Sequence, residues 1–227
     1  MTEYREIADK NACLRKIDVK NHEENFEVSK INRFDNESFN REDYEDGWAS
    51  DDSQIQERLI DEFEQKLQKS SLDSVLYRMC YHNNIAAIYS RQRNYSMAMK
   101  YFNDVNQLYN EHQSSSAISQ QELAYVMIKV YYNMNRLYYR NENYTMSILM
   151  LEKAIDLASR QDEEHPQLAE IYNCMGVAYG RKIDFRMAEY YFELAVKTAK
   201  KTLAAHNPDV KRYCKQLQQV KIYLARK

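Results

Sequence analysis

Apolar side chains recur at helical spacing along most of the chain, and the first steady run begins near residue 53. Its members are Ile55, Leu59, Ile60, Phe63 and Leu67. Because they fall three or four positions apart along most of the run, they predict a helix at about 53–69, which Asp51 or Ser53 can cap. Residues 1–50 show no such period and are rich in Asn, Glu, Asp and Lys, so we expect them to be mostly disordered.

Beyond a break at Ser70–Ser71, three stretches of the chain repeat one pattern. They are YHNNIAAIYSRQRNYSMAMKYFNDV from Tyr81, YYNMNRLYYRNENYTMSILMLEKAI from Tyr131 and YNCMGVAYGRKIDFRMAEYYFELAV from Tyr172. The matched sets are Ala86, Asn135 and Gly176; Tyr89, Tyr138 and Tyr179; Tyr95, Tyr144 and Phe185; Ala98, Ser147 and Ala188; Phe102, Leu151 and Phe192; and Val105, Ala154 and Ala195. One such unit cannot bury its apolar face alone, so the pattern predicts stacked helical hairpins that share a core.

The matched positions indicate how each hairpin is built. Small residues on the first and second helices let the two helices approach closely, and the aromatic side chains fill the space between layers. The steps at 93–94, 142–143 and 183–184 (Arg-Asn, Glu-Asn and Ile-Asp) predict the turns. Proline is tolerated in the first turn of a helix, so Pro166 and Pro208 predict the starts of the third repeat and of a single final helix.

This arrangement resembles the tetratricopeptide repeat (TPR) family over about residues 72–205. The closest variety is the longer, kinesin-light-chain-like repeat, on the asparagines of YHNNIAAIY, the His-Pro-x-Leu-Ala at 165–169 and the long helix ending KTAKKTLAAHNPDV. The departures from the family's pattern are also clear. Asn135 stands where a small residue is usual, and the usual turn glycine is replaced by Arg93, Glu142 and Ile183.

The resemblance implies an all-α protein, a right-handed α-solenoid of tandem helix-turn-helix repeats with a C-terminal capping helix. We expect four parts along the chain. These are an acidic, mostly disordered segment at 1–50, a leading helix at 51–71, three repeats at 72–205 and a basic capping helix at 206–227. The final helix is expected to cover the last layer of the solenoid, which would otherwise be exposed.

Composition narrows the class of protein. Only 3 Gly and 2 Pro occur in 227 residues, which favours an almost entirely helical chain because the turns of β-rich folds need both. Neither a signal peptide nor a membrane-spanning apolar run is found, and the cysteines are scattered without metal-ligand spacing: Cys13, Cys80, Cys174 and Cys214. We therefore expect a reduced, cytoplasmic protein without cofactor or membrane insertion. Because no catalytic motif is present, the sequence predicts a protein that is not an enzyme.

The concave face of the repeats is the predicted functional surface, because in stacked repeats of this kind the first helices line a groove. The polar and basic residues expected there are Asn83, Asn84, Arg91, Lys129, Tyr132, Asn133, Arg136, Arg140, Asn173, Arg181, Arg212 and Lys215. Asparagine both donates to and accepts from a peptide backbone, and arginine binds a carboxylate through two hydrogen bonds. They predict a groove for a short acidic peptide of a partner protein. A solvated polar face is the alternative.

An acidic segment around the only tryptophan is a second candidate feature. The stretch NREDYEDGWASDDS, residues 40–53, resembles the tryptophan-acidic cargo peptides that kinesin-light-chain repeats bind. We expect Tyr44, Asp46, Trp48 and Asp51 to belong to an autoregulatory segment that occupies the chain's own groove or that of a second copy, which would be a form of self-association. The alternative is a tryptophan that packs on the outer surface as a structural staple.

Charge is unevenly spread along the chain, although its net value is −2. Residues 1–50 hold 13 acidic and 8 basic residues, a balance of −5, whereas 195–227 hold 9 basic residues and one acidic residue, a balance of +8. This polarity favours contact between the two ends or with a charged partner. Nucleic-acid binding is disfavoured because the chain as a whole is not basic. A fixed subunit of a larger assembly and a peptide-sensing regulator are the alternative functions.

Overall fold

The computed structural model describes residues 51–69, 75–115, 118–161, 167–203 and 206–226. Within these ranges the chain forms helices and no strands. The helices are α1 (Asp51–Lys69), α2 (Val75–Arg91), α3 (Tyr95–His112), α4 (Gln120–Arg140), α5 (Tyr144–Gln161), α6 (Leu168–Arg181), α7 (Phe185–Thr202) and α8 (Pro208–Ala225). The predicted all-α class is confirmed.

Consecutive helices pack as hairpins, and each hairpin packs on its neighbour. The pairs α2–α3, α4–α5 and α6–α7 make the largest contacts, α4 also packs on α2 and α3, and α6 packs on α5. We call α2, α4, α6 and α8 the A helices and α3, α5 and α7 the B helices. Fully buried side chains such as Ile128, Leu151 and Met175 join α4, α5 and α6 in one core, as expected of stacked repeats that cannot bury their apolar faces singly.

The first and last helices lie at the two ends of the stack. Phe63 of α1 is 3% exposed, and its ring lies 5.8 Å from that of Tyr81 on α2. At the other end, Pro208 is the first residue of α8, and the Asn207 side chain accepts a hydrogen bond from the Asp209 backbone at 2.8 Å. Proline suits this place because its missing N–H would have no partner inside the helix. The other proline, Pro166, lies outside the described residues.

One backbone motif joins the A and B helices in all three hairpins. Arg93, Glu142 and Ile183 adopt φ values of 58°, 56° and 65°, in the left-handed region. The next residue closes the A helix with a backbone bond of 2.9–3.0 Å to the carbonyl five residues back: Asn94 to Tyr89, Asn143 to Tyr138 and Asp184 to Tyr179. That same residue then caps the B helix, accepting from the backbone N–H of Met97, Met146 or Met187. This is a Schellman ending followed directly by an Asx cap.

Replacing Ile183 with glycine is expected to stabilise the fold. Ile183 is 72% exposed, so little packing is lost, and its φ of 65° is costly for a β-branched side chain but not for glycine. We expect a gain of about 1 kcal/mol in the free energy of unfolding and a rise of roughly 2–4 °C in Tm. Thermal unfolding of Ile183→Gly and Ile183→Ala tests this, because alanine keeps a Cβ. A glycine variant no more stable than the alanine variant would contradict it.

Different residues allow the A and B helices to approach closely in the third and second repeats. A Cβ built on Gly176 of α6 would lie 2.6 Å from the ring of Phe192 on α7, so only glycine fits there. In the second repeat, Asn135 of α4 occupies the matching place and is 2% exposed. Its side-chain oxygen accepts a 2.6 Å hydrogen bond from the hydroxyl of Ser147 on α5, which is itself fully buried. A buried polar pair thus replaces the small residue expected at this position.

Candidate functional site

Polar side chains of the A helices bond to one another from repeat to repeat. Asn133 of α4 donates to the side-chain oxygen of Asn83 on α2 at 3.1 Å. Both amides are more than nine-tenths buried, so their bond satisfies polar atoms that water cannot reach. Further along, Nη1 of Arg140 donates to Ser90 Oγ at 3.1 Å, and Nε of Arg181 donates to the Tyr139 hydroxyl at 2.9 Å. The predicted groove residues therefore form part of the packing between repeats.

Three arginines from two successive A helices line a narrow cleft whose interior has no room for a water molecule, so a ligand would meet its outer edge. Arg91 ends α2, Arg136 and Arg140 lie on the last half of α4, and the other lining residues are Ala87, Ser90 and Asn133. Arg136 is only 9% exposed. We call this feature the arginine cleft. A guanidinium remains protonated in proteins, so the cleft concentrates positive charge in a place partly shielded from water.

A second polar group joins α6 to α8 and is centred on Glu170. Its carboxylate accepts a hydrogen bond from Nη2 of Arg212 at 2.6 Å and another from the hydroxyl of Tyr213. Asp209 Oδ1 lies 2.9 Å from the same Arg212 nitrogen, and the Tyr132 hydroxyl lies 3.5 Å from Glu170 Oε1. We call these residues the Glu170 cluster. The positive charge of Arg212 in this cluster is matched by the carboxylates of Glu170 and Asp209.

Burial raises the pKa of two groups beside Glu170, the Tyr213 hydroxyl within the Glu170 cluster and the Cys174 thiol next to it. Burial and the nearby Glu170 carboxylate raise the pKa of the Tyr213 hydroxyl, so it stays protonated and donates to Glu170. Burial likewise raises the pKa of the Cys174 thiol well above its usual value, and the Glu170 charge adds to the effect. Because the thiolate is the nucleophilic form of cysteine, Cys174 is a buried structural residue in this setting.

The remaining predicted groove residues are dispersed. Asn173 is 1% exposed, and its side-chain oxygen has no hydrogen-bond partner among the described residues. The Lys129 ammonium lies 5.2 Å from the centre of the Tyr125 ring on the same helix. Asn84 is half-buried, whereas Arg181 and Lys215 are exposed. The structure thus brings Arg91, Arg136 and Arg140 together, but it does not bring Arg181 into the arginine cleft.

The sequence pattern did not single out several partners of these residues. They are Ser90, Tyr139, Glu170, Asp209 and Tyr213. Of the bonds between A helices, Asn133–Asn83 and Arg140–Ser90 span 50 residues and Arg181–Tyr139 spans 42. These spans equal the repeat spacings of 49 and 41 plus one residue. The contacts of Glu170 with Tyr213 and Arg212 span 43 and 42 residues, against a spacing of 42 between Pro166 and Pro208.

Most of the predicted autoregulatory segment lies outside the described residues. Tyr44, Asp46 and Trp48 fall outside the described residues, and Asp51 is described only as the first residue of α1. In the part of the chain that is described, no group of three or more His, Cys, Asp or Glu residues could hold a metal ion. No helix within those ranges is both long and apolar enough to cross a membrane.

Comparison with known proteins agrees with this geometry. A tetratricopeptide repeat family model matches residues 126–201, which include most of α4, all of α5 and α6, and nearly all of α7. A crystal structure of kinesin-light-chain repeats from Podosopora anserina, described as nearly identical TPR-like repeats, superposes with a TM-score of 0.56 at 13% identity. The alignment covers 77% of this chain and 80% of that chain. A variant of the same protein also superposes with a TM-score of 0.56 at 13% identity, and that alignment covers 77% of this chain and 79% of the variant.

A comparison with curated protein sequences gave no match. The family match therefore rests on residues 126–201, and the similarity to solved structures concerns the fold alone, because only 13% of aligned residues are identical. Both agree with the A and B helices and with the turns described above. The resemblance seen in the sequence is confirmed: residues 126–201 match the tetratricopeptide repeat model, and the fold is similar to that of kinesin-light-chain-like repeat proteins.

Proposed function

We propose that the chain is a non-enzymatic scaffold that binds a short acidic segment of a partner protein on the face of its A helices. Tetratricopeptide repeats generally mediate protein–protein interactions, and this repeat model matches residues 126–201. One observation carries the acidic preference. Arg91, Arg136 and Arg140 converge from two helices on one cleft, whose other lining residues are neutral.

The chemistry of the arginine cleft suits a carboxylate. A guanidinium presents planar donors that match the two oxygens of Asp or Glu, and such charge-assisted bonds are stronger than neutral ones. Because Arg136 is only 9% exposed, a peptide carboxylate would reach the cleft mainly through Arg91 and Arg140, which are half-buried. Ser90 holds Arg140 in place through the 3.1 Å bond, so part of the ordering of that side chain occurs before any peptide binds.

The acidic segment around Trp48 is the proposed competitor within the same chain. It carries carboxylates of the kind that the arginine cleft would bind, and it also offers an aromatic anchor. An intramolecular segment competes at a high effective concentration even when its own affinity is modest. Removing the tryptophan should therefore raise the affinity of the chain for an external acidic peptide.

Reversing two charges of the arginine cleft is expected to abolish most acidic-peptide binding. A random peptide library displayed on phage is first selected on the intact chain, and we expect it to yield ligands rich in Asp and Glu. The double variant Arg91→Glu/Arg140→Glu should bind such a ligand at least about a hundredfold more weakly, since it removes two charge-assisted bonds that contribute about 1.5–3 kcal/mol each. Fluorescence anisotropy measures the affinity, and added salt should weaken wild-type binding.

Arg186→Glu is a single-charge control for this experiment. Arg186 is exposed on α7, outside the arginine cleft, so its reversal changes the net charge by half as much without touching the proposed site. The same titration on Trp48→Ala tests the competitor. Selection of ligands without acidic residues, or equal loss of binding in the control, would contradict the proposal. Circular dichroism spectra must show that every variant is as helical as the wild type.

A further inference from the structure

An apolar groove lies between α7 and α8 and shares no residue with the arginine cleft. Val196, Leu217, Ile222 and Ala225 supply its apolar surface, and Lys200 and Lys221 stand at its edge. Ile222 is 44% exposed, which is high for a large aliphatic side chain on an amphipathic helix. The groove therefore presents apolar surface to solvent along two neighbouring helices.

The uneven burial of α8 explains why this groove exists. Its only buried residues are Val210 and Tyr213, both in the first two turns, where they pack against α6 and α7. Beyond Tyr213 the helix has no buried residue although apolar side chains continue to its end at Ala225. An amphipathic helix of this kind ordinarily covers its apolar stripe with another element.

The preceding layer shows which element fits such a groove. In that layer the B helix α5 is followed by the A helix α6, just as the B helix α7 is followed by the A helix α8 at the groove. Tyr191 of the B helix α7 packs against the cluster that contains Ala154 and Ala158 of α5 and Met175 of α6. The equivalent place next to α7 and α8 is thus shaped for one more helix, and no described part of the chain fills it.

We propose that this groove docks an amphipathic helix of a partner protein, with acidic residues beside its apolar stripe. Residues 195–227 hold 9 basic residues and only one acidic residue. Lys221 pairs with Glu193 at 2.6 Å and lies 3.9 Å from Glu189, so Lys200 supplies the positive charge at the groove, and Lys197 and Lys201 are exposed on the same helix, α7. A second copy of this chain would bring like charges together, whereas an acidic helix finds opposite charges at the groove edge.

Two synthetic helical peptides that differ only in charge give a direct test on the full chain. One synthetic peptide carries alanine, phenylalanine and valine at the spacing of Ala98, Phe102 and Val105, with glutamates on both flanks; the other carries lysines instead. We expect the glutamate peptide to bind and the lysine peptide to bind at least about tenfold more weakly by fluorescence anisotropy. Ile222→Asp and Lys200→Glu should each weaken binding of the glutamate peptide by about tenfold.

Controls separate this groove from the arginine cleft. Leu149→Asp changes a leucine on α5 that is 40% exposed, similar to Ile222, and should leave binding unchanged. The Arg91→Glu/Arg140→Glu variant should also keep the helix-peptide affinity. Equal binding of the two peptides, binding of neither, or insensitivity to Ile222→Asp and Lys200→Glu would overturn the proposal. So would a concentration-dependent dimer in sedimentation that Ile222→Asp dissolves, because the occupant would then be a second copy.

Discussion

Replacing Glu170 with alanine is expected to lower the free energy of unfolding by about 2–3 kcal/mol, because the change removes the acceptor at the centre of the α6–α8 contact. Arg212 would lose its 2.6 Å hydrogen bond, and the Tyr213 hydroxyl would lose its acceptor in a side chain that is only 1% exposed. Asp209 still pairs with Arg212 after the change. In the wild type, the Arg212 and Glu170 side chains are 20% and 24% exposed, so water reaches part of this ion pair. The loss should therefore stay at the lower end for a broken buried pair.

Glu193→Ala is the matched control for Glu170→Ala. Glu193 also pairs with a basic residue of α8, Lys221, at 2.6 Å, but both side chains are about half exposed. Exposed pairs contribute little, so we expect little or no loss in the free energy of unfolding. Urea unfolding followed by circular dichroism measures both variants. If Glu170→Ala cost no more than Glu193→Ala, the Glu170 cluster would not hold α8 against α6.

Gly176→Ala is expected to destabilise the chain by about 1–3 kcal/mol, although alanine favours helix more than glycine does. Three ring carbons of Phe192 lie 2.6–2.9 Å from the place of the new Cβ, well inside van der Waals contact. Phe192 is 4% exposed and packed between helices, so its ring has little room to move. The strain of overpacking should therefore exceed the gain in helix propensity, which is about 1 kcal/mol.

The same change at Gly180, Gly180→Ala, is expected to raise the stability of the chain and not to lower it. A Cβ on Gly180, one turn further along α6, meets nothing within 4 Å. This variant should be more stable than the wild type by about 0.5–1 kcal/mol. A double variant, Gly176→Ala/Phe192→Leu, should cost less than the sum of its two single changes, because the smaller side chain relieves the clash. Equal effects of alanine at 176 and 180 would show that the α6–α7 approach is not limiting.

The helices and turns could be predicted from the sequence because they follow from local rules. Apolar spacing predicted the A and B helices, and the Asn or Asp after each left-handed residue predicted the turns. The small-residue rule was correct at Gly176 but incomplete at Asn135. There a serine twelve residues away supplies a hydrogen bond, and a helix pattern based on size does not show that bond.

The candidate site was only partly predictable, because side chains on equivalent positions meet different neighbours. Arg91, Arg140 and Arg181 match in the repeat alignment, yet Arg140 bonds to Ser90 and borders the arginine cleft while Arg181 lies exposed on Tyr139. Arg212 was predicted to face a ligand, but Glu170 and Asp209 neutralise it. The sequence of a single repeat does not indicate which residues of the neighbouring repeat face its side chains. That depends on the offset of one residue between successive A helices.

The structure of the chain with an acidic ligand selected from the peptide library tests the central proposal most directly. We expect a carboxylate of that peptide within hydrogen-bond distance, about 3 Å, of the guanidinium nitrogens of Arg91 or Arg140. We also expect the peptide backbone to follow the face of α2 and α4. A peptide that lies on the B helices or in the groove between α7 and α8, with the arginine cleft untouched, would contradict the proposed function.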